Sequence, residues 1–187
     1  MVKIFVLGLI LGLLIVPACG YLYFATGTAP VATAAPPMPF EKQFAHMALE
    51  ARLAKEVPKT VPLQADEANY LAGAEVYKTH CAVCHGLPGD KATAIAKGMF
   101  PKPPALLEGK GVTDDPPGES YWKVSGGIRM TGMPAFQQSL STDQMWQVSL
   151  LVANADKLPA SVKSALSKPA ASPESTANTM AAPAPAK

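Results

Sequence analysis

The sequence has little cysteine and little net charge, and each shortage excludes a class of protein. Three cysteines among 187 residues are too few for a disulfide framework. A formal net charge of +2 gives no large basic field of the kind that binds nucleic acid, so no nucleic-acid partner is expected. The length of the chain fits one domain with additional segments. Its 19 prolines and 49% hydrophobic residues indicate that these additional segments are substantial.

Two of the three cysteines lie in one motif, Cys81-Ala82-Val83-Cys84-His85. A C-x-x-C-H sequence is typical of covalent attachment of a c-type haem. Each thiol can add to one haem vinyl group, and His85 then becomes the proximal iron ligand, whose other ring N–H needs an acceptor. A zinc site is disfavoured because zinc needs four ligands and the sequence has no second cysteine pair. The motif therefore predicts one covalent haem c, bound by Cys81, Cys84 and His85.

The one long apolar run lies near the N-terminus. Ile4 to Phe24 are uncharged, and as a helix they would be about 31 Å long, enough to cross a bilayer. We interpret residues 1–24 as a transmembrane anchor. A cleaved signal ending near Ala34 is the alternative, although the run exceeds the usual signal core. Lys3 on the short side predicts a single-pass protein of the cytoplasmic (inner) membrane, with the rest of the chain on the periplasmic side.

Composition divides the remainder of the chain. Residues 25–65 are predicted to be a proline-rich linker with a short amphipathic helix from Glu41 to Val57. Residues 66–159 hold the haem motif and the clearest helix signals: Asp66 as an N-cap, and a capping box at Ser141. Residues 160–187 are rich in Ala, Pro, Ser and Thr, which predicts a disordered tail.

The second iron ligand has four methionine candidates, Met99, Met130, Met133 and Met145. Met133 is preferred because it lies in the irregular turn Gly132-Met133-Pro134-Ala135-Phe136, where a side chain can point inward without competing for a helix face. Met145 fits a core position on the last helix. Met130 stays open as the alternative in the same loop. The predicted metal ligands are therefore His85 and Met133.

Residues 66–159 resemble a monohaem class I cytochrome c domain. The shared features are Gly73 and Tyr77 in the leading helix, the haem motif followed by Gly86, the Met133 turn, and the final helix with Trp146. The resemblance implies an all-α class I cytochrome c fold around one covalent haem, preceded here by the transmembrane helix.

The resemblance also implies particular contacts. It places Gly73 and Tyr77 against Trp146 and Leu150, where the first and last helices cross. It makes a proline carbonyl, of Pro103 or Pro104, the acceptor for the proximal histidine.

The function expected from these features is electron transfer, with no catalytic residues, because His85 and Met133 would fill both axial positions of the iron. The expected partners are redox proteins in or at the membrane, together with the lipid bilayer. A haem subunit of a membrane dehydrogenase or oxidase complex is the main alternative. A haem enzyme or gas sensor, in which Met133 dissociates, is a third.

Overall fold

The computed structural model describes residues 1–108 and 114–167, and every regular element in those ranges is helical. The chain divides into two compact units, Met1–Glu50 and Ala51–Lys187. The helices are α1 (Val2–Ala25), α2 (Glu41–Glu56), α3 (Glu67–Val76), α4 (Ala82–His85), α5 (Ala94–Gly98), α6 (Pro117–Gly126), α7 (Thr142–Ala153) and α8 (Ala160–Leu166), with a π-helical turn at Tyr77–Cys81 and a 3₁₀ turn at Ala155–Lys157.

α1 contains 24 residues, which corresponds to about 36 Å of helix. It is the one helix among the described residues that is long and apolar enough to cross a membrane. Its side chains are almost all exposed, as they would be in a helix that contacts lipid. Pro17 lies inside the helix, a position that membrane-spanning helices tolerate.

The second unit is built around α3 and α7, which begin where the sequence predicts. Asp66 caps α3, because its Oδ1 accepts the Asn69 N–H at 2.9 Å. At α7, Ser141 and Gln144 exchange hydrogen bonds in a complete capping box. α3 ends at Val76, because the chain changes from α-helical to π-helical hydrogen bonding at Tyr77.

α3 and α7 cross at Gly73. A Cβ at this position would collide with the backbone carbonyl of Gln147 and lie 3.2 Å from the Leu151 Cβ, so only glycine permits this approach. The predicted partners were Trp146 and Leu150. The nearest atoms belong to residues one position further along α7, because the backbone of Gln147 itself fills the space beside Gly73.

The predicted tail boundary at residue 160 is wrong. α8 follows Pro159, and Val162 and Leu166 are 0% and 2% exposed in the hydrophobic core. These two apolar side chains, one helical turn apart, bury a face of α8 against α3. The folded unit therefore extends through α8, while residues 168–187 lie outside the described part of the chain.

The predicted boundary between the linker of residues 25–65 and the folded domain also lies too far along the chain, because the second unit begins at Ala51. Leu53 is buried, and Trp122 Nε1–H on α6 donates to Glu56 Oε2 at 3.1 Å. The Pro58 carbonyl lies directly over Gly118, where a Cβ would collide with it. The end of α2 and the residues after it are thus packed on α6 as part of the second unit.

Candidate cofactor site

The C-x-x-C-H motif begins at Cys81, the last residue of the π-helical turn, and its other four residues form the single turn of α4. Gly86 ends this turn with φ +76°, a left-handed conformation that glycine adopts without strain. The buried Tyr77 hydroxyl donates to the Gly86 carbonyl at 2.9 Å. One side chain before the motif therefore fixes the backbone just after it. The sequence identified Tyr77 as a helix contact, but nothing in its pattern predicts this hydrogen bond.

Both motif thiols are free and differ in burial. Cys81 is buried and Cys84 is partly buried. Burial, together with the nearby Cys84, raises the pKa of Cys81 to about 12. Burial likewise raises the pKa of Tyr77 well above 10.0, with a smaller effect from Cys81. In the folded chain both groups are therefore neutral at physiological pH.

The ring of His85 is oriented by the backbone of the proline-rich loop. Its Nδ1 lies 2.8 Å from the Pro104 carbonyl oxygen. Because a carbonyl can only accept, Nδ1 carries the proton and Nε2 is left with a lone pair. Burial lowers the pKa of His85, against the opposing effect of the hydrogen bond to Pro104. A neutral imidazole with a free Nε2 is the form that binds a metal.

The loop that contains Met133 is fixed to the end of α6 by its backbone. The Met133 N–H donates to Thr131 Oγ1 at 3.1 Å, and the Met133 carbonyl accepts the Ile128 N–H at 3.2 Å. Gly127, at φ +66°, lies so close to this segment that a Cβ would collide with residues 133–135. The Phe136 N–H donates to the Val124 carbonyl at 3.0 Å. The position of Met133 is therefore set by backbone hydrogen bonds on both sides.

The other candidate methionines occupy distinct environments. Met130 is 85% exposed, with φ +62°. Met99 is partly buried, and its side chain lies against Gly132. Met145 is 4% exposed in the core of α7, as its helical position predicts.

Two contacts relate the motif to the elements around it. His80, directly before Cys81, packs edge-on against Phe136 with ring centroids 6.1 Å apart, so the end of the Met133 turn reaches the start of the motif. Thr93 Oγ1 donates to the Val83 carbonyl at 2.7 Å and also caps α5.

The described residues contain no cluster of three or more His, Cys, Asp or Glu side chains that could hold a metal ion by themselves.

These surroundings fit a haem. Two thiols and an oriented imidazole lie within five residues of the chain, at Cys81, Cys84 and His85, and a cleft opens beside Cys84 and His85. A porphyrin also needs apolar walls, and several hydrophobic side chains next to the core remain partly uncovered. They include Ala82, Leu87, Leu106, Leu107, Val124 and Phe136.

Two aromatic residues of α6 that could approach haem propionates have other partners. Tyr121 stacks on Trp146 with ring centroids 4.1 Å apart and an interplanar angle of 13°. The Trp122 indole N–H donates to Glu56. Both side chains therefore hold α6 in place.

The family model of cytochrome c oxidase, cbb3-type, subunit III, matches residues 68–150. No curated protein matches the chain. Among solved structures, a chain of the Kuenenia stuttgartiensis reducing HAO-like protein complex Kustc0457/Kustc0458 is similar at 26% identity and a TM-score of 0.44. That alignment covers 56% of this chain and 53% of the other, so the chain spans about half the length of that protein.

Proposed function

We propose that the protein is a membrane-anchored electron carrier that holds one covalent haem c, a proposal supported by the match of residues 68–150 to the family model of an oxidase subunit. The observation that carries the proposal is the hydrogen bond from His85 Nδ1 to the Pro104 carbonyl, directly after two free motif thiols. It fixes the imidazole in the tautomer that an axial ligand requires. A haem so bound supplies a one-electron couple at its iron.

Each residue of the site has a separate role. Cys81 and Cys84 provide the two thioether sulfurs, and His85 provides the proximal ligand. Met133 is the proposed second axial ligand. Its partly buried position and doubly hydrogen-bonded backbone support this choice, whereas Met130 is almost fully exposed.

This ligand set fits transfer of an electron rather than catalysis. Thioether sulfur is a soft, neutral ligand that raises the reduction potential. If His85 and Met133 both bound the iron, no position would remain there for a substrate. The chain contributes rigidity, because Pro104 orients His85 and the α6 terminus holds the Met133 loop.

The proposed location is the cytoplasmic membrane, with α1 crossing it once and the haem domain on the periplasmic side. The length and composition of α1 support the anchor. Lys3, in its first turn, supports a cytoplasmic N-terminus. A periplasmic domain also fits the thiol chemistry, because c-type haem attachment takes place outside the bacterial cytoplasm.

Extraction tests the covalent assignment. Acid-acetone treatment of the purified protein is expected to leave the haem on the polypeptide, and Cys81→Ser/Cys84→Ser protein should lose it. Release of the haem from the wild-type protein would show that no thioether bonds are present.

Methionine substitutions test the iron ligand. Met133→Ala protein should keep its haem, lose the weak far-red sulfur-to-iron band of the ferric state, show a lower reduction potential and bind carbon monoxide when reduced. Met130→Ala is the matched control in the same loop and should leave spectrum and potential unchanged. The reverse result would assign the ligand to Met130, and no effect of either change would exclude this loop from iron ligation.

A second candidate function is that of a haem subunit in a membrane oxidase or dehydrogenase complex. The match to the family model of an oxidase subunit favours it. Purification in mild detergent separates the two candidates. A stoichiometric partner that carries further redox centres supports the subunit role, whereas a single chain that is reduced and reoxidised by soluble redox proteins supports the free carrier.

A further inference from the structure

An apolar stripe on α2 faces solvent. Phe40, Phe44 and Met47 are 65%, 62% and 59% exposed. Phe44 and Met47 lie on one face of α2, and Phe40, directly before the helix, packs against Phe44. Isolated exposed hydrophobic residues are ordinary. Three large ones side by side at the start of a helix are characteristic of a surface that is covered by something else.

The backbone at the start of the stripe is strained. Phe40 has φ +61°, a left-handed conformation that bulky residues rarely adopt. It is held there because Glu41 Oε2 accepts the Met38 N–H at 2.7 Å and the Phe40 carbonyl accepts the first helical N–H, from Phe44, at 3.0 Å. The two phenyl rings then meet edge-on, with centroids 6.4 Å apart. A strained turn that presents an aromatic pair to solvent indicates a functional contact.

The other face of α2 already has a role. Leu53 lies roughly opposite the stripe at 100° per residue, and it is 6% exposed. Lys42 also lies on the far side of the helix from Phe44 and is exposed. The exposed stripe is therefore a different face of α2 from the face that Leu53 buries in the protein.

The chain between α1 and α2 keeps the stripe close to the end of the proposed membrane span. Residues 26–39 carry no charge, and fully extended they would reach at most about 50 Å. Hydrogen bonds from Ala29 N–H to the Tyr23 carbonyl and from Ala35 N–H to the Ala32 carbonyl fold this segment and shorten it. The stripe therefore begins within a short distance of the residue where the proposed membrane span ends, with no charged group between them to keep the segment out of the headgroup layer.

We infer that the Phe40–Phe44–Met47 stripe lies in the interfacial layer of the same bilayer leaflet from which α1 emerges. Phenylalanine and methionine side chains partition into the boundary between headgroups and acyl chains, while the charged face of such a helix stays in water. α2 then acts as a second, in-plane membrane contact. The inference rests on the proposed anchoring by α1.

Photocrosslinking to lipid tests the inference on the full-length holoprotein. p-Benzoylphenylalanine is introduced at residue 44, 47 or 42, and each protein is reconstituted into phosphatidylethanolamine–phosphatidylglycerol vesicles and irradiated. Positions 44 and 47 are expected to give lipid adducts, detected by mass spectrometry, in severalfold higher yield than position 42 on the opposite face. Equal yields at positions 44 and 42 would overturn the inference.

Two further measurements keep the result interpretable. Resistance of each reconstituted protein to alkaline carbonate extraction tests α1 anchoring separately, and an unchanged haem spectrum shows that the domain is folded. A protein that stays in the membrane but gives no lipid adduct at position 44 contradicts the interfacial contact while leaving the carrier function intact. Crosslinking of position 44 to another protein in native membranes, with no lipid adduct in vesicles, would also overturn it.

Discussion

Replacement of Gly73 by alanine tests the close crossing of α3 and α7. Alanine should favour the helix by about 1 kcal/mol relative to glycine. The added methyl group, however, would collide with the Gln147 carbonyl and press on Leu151. The collision is with backbone, which cannot rotate away like a side chain, so the two helices must separate.

Overpacking of this kind costs about 1–3 kcal/mol, and a contact with backbone belongs at or above the upper end of that range. After the gain in helix propensity, a net loss of about 2 kcal/mol is expected. For a domain of this size each kcal/mol corresponds to about 4–8 °C in Tm, so Tm should fall by about 10 °C.

Thermal unfolding, followed by near-ultraviolet circular dichroism from aromatic packing such as the Tyr121–Trp146 stack, measures the change. Gly98→Ala on α5 is the matched control, because nothing lies within 4 Å of its added Cβ, and it should leave Tm unchanged or slightly raised. If Gly73→Ala protein melts at or above the wild-type temperature, the helices do not approach as closely as described.

Two further predictions concern hydrogen bonds and ion pairs. Tyr77→Phe removes the donor to the Gly86 carbonyl and should lower the free energy of unfolding, measured by urea titration, by about 1 kcal/mol. The control is Tyr70→Phe, the same change two turns earlier on α3, which should have little effect. Equal effects of the two substitutions would contradict a specific role for the Tyr77 hydroxyl. Burial alone would lower the pKa of Lys123, but its hydrogen bonds and charge interactions with Asp115 and Glu119 carry it above 10.5. The stabilisation by Lys123 should therefore be fully present below the pKa that Lys123 has in the unfolded chain, and it should disappear as the pH rises through the higher pKa of the folded state. The difference in unfolding free energy between wild type and Lys123→Met should stay constant between pH 6 and 9. It should shrink in more alkaline solution.

Local signals in the sequence were sufficient for the starts of α3 and α7. The caps at Asp66 and Ser141 depend on a few neighbouring residues, so they can be read directly from the chain. The C-x-x-C-H motif is an equally local signal, and its role in haem attachment stays a prediction. By contrast, the choice between Pro103 and Pro104 depends on how a long loop returns to His85, and only the three-dimensional structure identifies Pro104 as the partner.

The errors came from elements whose stability depends on distant partners. α8 is short and rich in small residues, so composition predicted disorder, although Val162 and Leu166 at i, i+4 spacing were a usable helix signal. The π-helical turn before the motif leaves no mark in hydrophobic periodicity. Composition also assigned residues 51–58 to the linker region. Their packing could not be predicted, because no local pattern in the sequence indicates that the Pro58 carbonyl lies against Gly118.

The packing of α8 on α3 has a consequence for how the protein is made. Ser161 Oγ donates to Glu67 Oε1 across 94 positions of sequence, and Val162 and Leu166 belong to the same core as Tyr70 and Ala74. The first helix of the domain is therefore completed by α8, the last of the described helices along the chain. A chain that is still emerging from the ribosome lacks part of its core until α8 has followed, so the C-x-x-C-H motif spends that interval in an incompletely folded polypeptide.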